Sequence, residues 1–189
     1  ISNGVKNKKV IAIIGMAGSG KSAVVNYLQK KYDWPKIYLG EATFERLKKE
    51  KLAINYINER IIREKIRQEL GMGAYAKLAL PKITKILKIN KIIILESLYS
   101  WDEYKIFKKK FKENFLAIAV TTPAKIRLSR LKTRSIRPIK TMAELNKRDI
   151  TEIEGTDKGG PIAVADYTII NDGSLENLHK QIDQIIKKS

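Results

Sequence analysis

Residues 11–22 read IAIIGMAGSGKS, and the rest of the chain is organised around them. Ile11 to Ile14 form an unbroken apolar run with β-branched members, the pattern of a strand buried on both faces. The chain then turns through Gly15, Gly18 and Gly20, and a helix is expected from about Lys21. This strand, glycine loop and helix fit GxxxxGK[ST] at each fixed position: Gly15, Gly20, Lys21 and Ser22. Glycines let successive backbone N–H groups point into one concavity, and the positive end of the following helix adds to the field that holds phosphate oxygens. Gly15, Ala17, Gly18, Ser19, Gly20, Lys21 and Ser22 are therefore the expected cradle of a nucleoside triphosphate. In that role Lys21 reaches the β- and γ-phosphates, and the Ser22 hydroxyl is a ligand for Mg²⁺.

Outward from this loop, 189 residues with 43% apolar side chains can supply one α/β domain with helices on both faces of a sheet. The formal net charge of +18 admits an anionic partner such as nucleic acid. Lysine is spread along the chain rather than blocked, however, which favours a solvated surface of biased composition over a nucleic-acid track. There is no cysteine, hence no disulfide framework and no thiolate metal site. No apolar run approaches the roughly 20 residues of a membrane span, and no leader pattern is visible, so a soluble cytoplasmic protein is expected, as monomer or homodimer. Ile1 to Lys8 read as a polar lead-in outside the fold.

In chain order, Ala23–Lys31 continues the first helix, with Val24, Val25 and Leu28 on its buried side. Lys36–Leu39 is a short second strand, followed by Gly40-Glu41 at its carboxyl end. Two helical stretches come next, the second with an apolar stripe of Ile54, Ile57, Ile61 and Leu70, and with Arg60, Arg63 and Arg67 on another face. Ala74–Lys88 resumes a helix in which Pro81 marks a kink or junction. Lys91–Leu95 is a third strand ending at Glu96; Trp101–Lys112 is helical; Phe115–Thr121 is a fourth strand; and Pro123 opens a helix over Ala124–Lys132. Residues 135–160 read as a mobile cover with a short helix around Met142–Ile153 and a flexible run Gly155–Gly160. Tyr167–Ile170 is a fifth strand, and Ser174 caps the last helix. Strands alternating with helices predict a mostly parallel, three-layer α/β sheet.

Nine arginines stand among the 38 basic residues. They cluster as Arg46, Arg60, Arg63 and Arg67, then Arg127, Arg130, Arg134, Arg137 and Arg148, and a planar bidentate fork suits phosphate. The second cluster brackets the cover, with Arg130 and Arg134 on one helical face; it is either a phosphate clamp or a basic helix end. Glu96, at the end of the third strand, is either a carboxylate that orients Mg²⁺ or a cap on the next turn. Glu41 is either a base for an acceptor hydroxyl or an acid at a helix start. His179 has no metal-ligand spacing around it and reads as a surface histidine.

GMAGSGKS, RLKTR, KRDITE and ADYTIINDGSLENL together resemble the small P-loop nucleotide kinases, in particular adenylate-kinase-related proteins and dephospho-CoA kinase, and the resemblance runs from Val10 to Ile186. It implies a five-stranded parallel sheet of order 2-3-1-4-5, an acceptor-binding region over residues 41–87 and a lid over 135–160. It implies ATP and Mg²⁺ as cofactors and a nucleotide-like small molecule as acceptor. Arg130 would lie near the donor adenine, Arg134 and Arg148 would close over the transferring phosphates, and Asn171, Gly173 and Ser174 would line the adenine pocket. Lys21, Arg130, Arg134, Arg148 and Glu41 are thus the expected catalytic set, Ser22 and Glu96 the metal set, and Glu41, Arg46, Arg67 and Glu96 the acceptor set. Two family positions differ: Phe44 stands where an acceptor-binding arginine is usual, and Glu96-Ser97-Leu98-Tyr99 replaces the usual Asp-Gly and arginine. Without cysteines the lid holds no zinc. An ATPase or a nucleic-acid-associated P-loop protein is the alternative.

Overall fold

A computed structural model describes residues 8–135 and 137–189. Apart from Lys8, the lead-in segment lies outside them. Strand β1 (Lys9–Ile14) is the centre of a five-stranded sheet. It pairs in parallel with β3 (Ile92–Glu96) on one side and β4 (Phe115–Thr121) on the other. β2 (Lys36–Tyr38) lies outside β3 and β5 (Tyr167–Ile170) outside β4, both parallel, so the order is 2-3-1-4-5. The expected P-loop kinase arrangement is met.

Alternation along β1 assigns each residue to a layer. Val10, Ala12 and Ile14 face a core that includes Ile62, Ile83, Phe107 and Phe115, whereas Ile11 and Ile13 face Val24, Val25, Leu28, Leu178 and Ile182. The first layer is built by α3 (Tyr56–Leu70), α4 (Ala74–Ile86) and α5 (Trp101–Phe111), and the second by α1 (Lys21–Tyr32) and α9 (Leu175–Lys188). α2 (Glu41–Lys49) packs beside α3. A third, smaller cluster of Ala17, Leu131, Ile139 and Leu145 pins α6 (Ala124–Lys132) and α7 (Met142–Thr156) to the glycine loop.

Two expectations are corrected. The buried line of α3 is Glu59, Ile62 and Ile66, while Ile54, Ile57 and Ile61 are exposed. Asn55, whose side chain accepts from the Asn58 N–H, caps the helix and sets where it starts, while packing against α2 and α4 turns Glu59, Ile62 and Ile66 inward. Arg63 and Arg67 flank this line half-buried, whereas Arg60 points outward toward Glu64. The run 155–160 is not an irregular loop. α7 continues through Gly155 to Thr156 and stops at Asp157 in the left-handed region, and α8 (Gly159–Ala163) follows at once. A capping box of Thr141 and Glu144 starts α7, and burial of Lys158 and Pro161 fastens its end. Those gains outweigh the cost of about 1 kcal/mol for a glycine inside a helix. Pro81 lies within α4, which is one continuous element.

Candidate nucleotide and phosphate site

The glycine loop lies at the carboxyl edge of the sheet, between the strands that flank β1, where open α/β sheets hold ligands. Its glycines are demanded by close approach as well as by backbone angle. A Cβ on Gly15 would stand 2.4 Å from the Val120 carbonyl oxygen, and one on Gly20 2.1 Å from Asn171 Nδ2, with φ of +152° and +96°. Gly18, at φ +80°, abuts the Arg127 carbonyl and Leu131. Lys21 folds back over the loop and donates to the carbonyls of Gly15 (2.9 Å) and Met16 (3.0 Å). Ser19 is buried, and its hydroxyl has no hydrogen-bond partner among the described residues.

Three sets of contacts hold this loop. Arg127 forms a bidentate pair with Asp149 (3.0 and 2.6 Å) and also donates to the Ala17 carbonyl at 3.1 Å, so one buried fork ties α6, α7 and the loop together. Asn171, just beyond β5, donates through Nδ2 to the Ser19 carbonyl at 2.8 Å. Arg130 donates to the Asn171 carbonyl at 3.0 Å and toward Thr122 Oγ1 at 3.4 Å, and that hydroxyl lies within reach of the Ser19 and Asn171 carbonyls. Arg130, Asn171 and the loop therefore share one corner. Gly173 and Ser174 follow, Ser174 capping α9 by accepting from the Asn177 N–H.

On the other side of Lys21 stands a charged group built from α7 and α8. Glu152 accepts from Arg148 Nε at 3.0 Å and from Lys158 Nζ at 2.5 Å. Lys158 is 1% exposed, with its ammonium 4.5 Å from the centre of the Tyr99 ring. Burial opposes ionisation of Glu152 most strongly, yet Lys158 and Arg148 hold its carboxyl below the usual range. Burial, reinforced by Lys158, Arg134 and Arg148 and resisted by Glu152, brings Lys21 down from 10.5 to about 7. Burial and then Arg148 also lower Arg134. An excess of cations is thus assembled around one lysine, the field that a polyphosphate would relieve. Thr133, Arg134, Ser135, Arg137 and Arg148 line the adjoining cleft.

At the end of β3, Glu96 accepts from Ser22 Oγ at 3.1 Å through one oxygen and pairs with Lys36 at 3.0 Å through the other. A hydroxyl and a carboxylate oxygen in contact at the loop suit a hard cation such as Mg²⁺ once phosphate oxygens are added. The remaining expected residues lie apart from this group. Glu41 is exposed at the start of α2 and pairs with Lys82 (3.2 Å), and Arg46 is committed to Glu50 and Glu69. Both line a separate cavity under α2 with Tyr38, Tyr75 and Ala79. Arg67 lies over the Tyr75 ring at 5.4 Å, its Nε without a hydrogen-bond partner among the described residues. His179 stacks on Tyr27 with centroids 3.8 Å apart.

Sequence reasoning missed Lys158, Glu152, Asp149, Lys36 and Thr122. KRDITE carried a signal, since Asp149 and Glu152 share the helix with Arg148 at spacings of one and four. Lys158 carried none: it is one lysine among many, between glycines.

Comparison with known proteins agrees with the fold. A family model described as an AAA domain matches residues 11–154. A UPF0200 protein of Thermococcus kodakarensis is 35% identical over 185 residues, covering 95% of this chain and 99% of the relative. Shikimate kinase of Acinetobacter baumannii, in complex with shikimate, superposes with a TM-score of 0.63 at 19% identity over 100% of this chain and 98% of its own. A gluconokinase of Sinorhizobium meliloti gives 0.55 at 13% identity, over 97% and 98%. At such identities these two structures establish the fold alone.

Proposed function

The chain belongs to the UPF0200 family, whose loop and strand order here are those of a P-loop kinase, and from that premise we propose an ATP- and Mg²⁺-dependent phosphotransferase acting on a nucleotide-like small molecule. One observation carries the reading: beside the glycine loop that Lys21 folds over, Arg148 and Lys158 share the single carboxylate of Glu152, and Arg134 lines the same cleft as Arg148. Transfer of a phosphoryl group spreads negative charge over its equatorial oxygens, and preplaced cations lower the barrier.

In this reading backbone amides of residues 15–22 hold the α- and β-phosphates, and Lys21 leaves its carbonyl partners for the β- and γ-phosphates. Arg130, Asn171, Gly173 and Ser174 form the adenine side. Arg134 and Arg148 lie over the γ-phosphate, with Lys158 and Glu152 orienting Arg148. As an acceptor oxygen bonds to the γ-phosphorus, the bond from that phosphorus to the β–γ bridging oxygen breaks, and ADP leaves. Ser22 and Glu96 would hold Mg²⁺, which supplies charge neutralisation between the β- and γ-phosphates. Residues 41–87 serve as the acceptor region and 135–160 as the lid. Glu41 and Arg46 would join the acceptor only by giving up their present surface partners.

The test is ATP with Mg²⁺ against nucleoside monophosphates, nucleosides and dephospho-CoA, with products read by mass. Acceptor-dependent ADP release with a product heavier by one phosphoryl group is expected. ADP release at the same rate without any acceptor would make the protein an ATPase instead.

A further inference from the structure

Arg63 and Arg137 come from separate elements and meet on a single buried carboxylate. Glu59, on α3, is 3% exposed; it accepts from Arg63 Nη1 at 3.3 Å and is also bonded by Arg137, from the segment linking α6 to α7. Arg137 reaches it from a left-handed backbone, φ +53°, a conformation uncommon for a residue with a side chain. Arg137 lines the cleft with Arg134 and Arg148. The Tyr38 hydroxyl is pushed up to about 12, first by burial and then by Tyr99, with Arg137 opposing and Glu96 and Glu59 adding to the rise. Glu96 is the carboxylate that Ser22 touches.

The other arginines of the acceptor side are held elsewhere, although Arg67 Nε has no hydrogen-bond partner among the described residues. Arg46 spends its fork on Glu50 and Glu69, Arg60 faces Glu64, and Arg67 lies over Tyr75. Phe44 and the Ser97-Leu98-Tyr99 stretch supply no cation where an acceptor clamp would be usual. Two guanidinium groups aimed at one oxyanion have the geometry for carboxylate or phosphate, whichever molecule brings it.

We propose that the acceptor carries an anionic group, phosphate or carboxylate, which Arg63 and Arg137 grip in the place that the Glu59 carboxylate holds now. Glu59 is then an internal stand-in: it keeps the two forks oriented, and the arriving oxyanion displaces it. The inference rests on the kinase reading above and deepens its acceptor.

The test uses the full chain saturated with ADP, so that the glycine loop is filled. Arginine Nε–H resonances are followed while inorganic phosphate, or in a separate arm malonate, is added. Arg63 and Arg137 are expected to shift together and to saturate with at least one of the two anions; phosphate alone points to a phosphorylated acceptor, malonate alone to a carboxylate. Glu59→Gln, which removes the competing charge, is expected to tighten that anion about tenfold, and Arg137→Gln to abolish the response. Should Glu59→Gln fail to fold, the native protein and Arg137→Gln still decide. Resonances of Arg63 and Arg137 that stay put with both anions, or an undiminished response in Arg137→Gln, would overturn the proposal while leaving the kinase reading intact. If ADP itself fails to move the amides of residues 15–22, the kinase reading falls, and this one with it.

Discussion

The two sides of the cleft are built differently. On the nucleotide side, polar groups are buried and bonded to one another: Arg127 to Asp149 and the Ala17 carbonyl, Asn171 to the Ser19 carbonyl, Lys158 to Glu152. On the side of α2 to α4, ion pairs lie near the surface, as in Lys82 with Glu41 and Glu45, apart from the buried Glu59 with Arg63 and Arg137, and Ile54, Ile57 and Ile61 face outward. A triphosphate is the same for every kinase and rewards a rigid, preplaced charge array. An acceptor differs from enzyme to enzyme, and exposed pairs of small net worth are easily exchanged.

If the contrast is real, substitutions on the nucleotide side should be severe and those on the other side mild. The largest effect is expected for Lys21→Ala: phosphoryl transfer falls on the order of 10³-fold while far-UV circular dichroism stays that of the native protein. Normal turnover would remove Lys21 from its role. Arg134→Ala comes next, with kcat down on the order of 10²-fold and KM for ATP nearly unchanged, because the charge it meets develops in the transition state. A rise in KM alone would make it a binding residue.

Asp149→Asn leaves Arg127 buried without its counter-charge, and a loss of about 2–3 kcal/mol in urea unfolding is expected. A loss below about 0.5 kcal/mol would mean that the loop is held by its glycines and the Ala17, Leu131 and Leu145 cluster alone. Lys82→Ala, the matched change across the cleft, should cost no more than that smaller figure. An equal cost for the two would erase the contrast.

Proton linkage sharpens the same point with a definite sign. Lys21 has its ammonium disfavoured by burial and by neighbouring cations, down to about 7, and in the proposed reading bound phosphates restore it. ATP binding at pH 8 should therefore take up protons, an uptake that fades below about pH 6 and is absent in Lys21→Ala; calorimetry in buffers of different ionisation enthalpy reads it. The unfolded chain keeps Lys21 near its ordinary 10.5, so between about pH 7 and 10.5 the unfolded state binds the extra proton. By this group alone, the free fold gains stability as pH rises through that window.

Much of the fold was legible in linear order because its signals are local. Apolar runs marked five strands, proline and glycine marked the breaks, and Ser174 marked a cap that the structure contains. The phase of α3 was not legible. Isoleucines at 54, 57, 61, 62 and 66 offer two apolar faces, and packing against α2 and α4, which no local rule encodes, chose Ile62 and Ile66 together with a charged Glu59. The same holds for the run 155–160, where three glycines suggested an irregular loop and a buried ion pair made a helix turn instead.

By itself, the sequence determined that a strand, a glycine loop and a helix would follow one another, since that geometry needs only neighbouring residues: backbone amides freed by glycine and one lysine six positions beyond the first glycine. Only the tertiary structure decided which distant charges surround that lysine. Lys158 arrives from the junction between α7 and α8 and Glu152 from α7, and Glu59 of α3 holds Arg137. Whether a lysine is a surface charge or a buried partner depends on what is packed above it, and that is settled by residues distant in sequence, as Tyr99 is from Lys158.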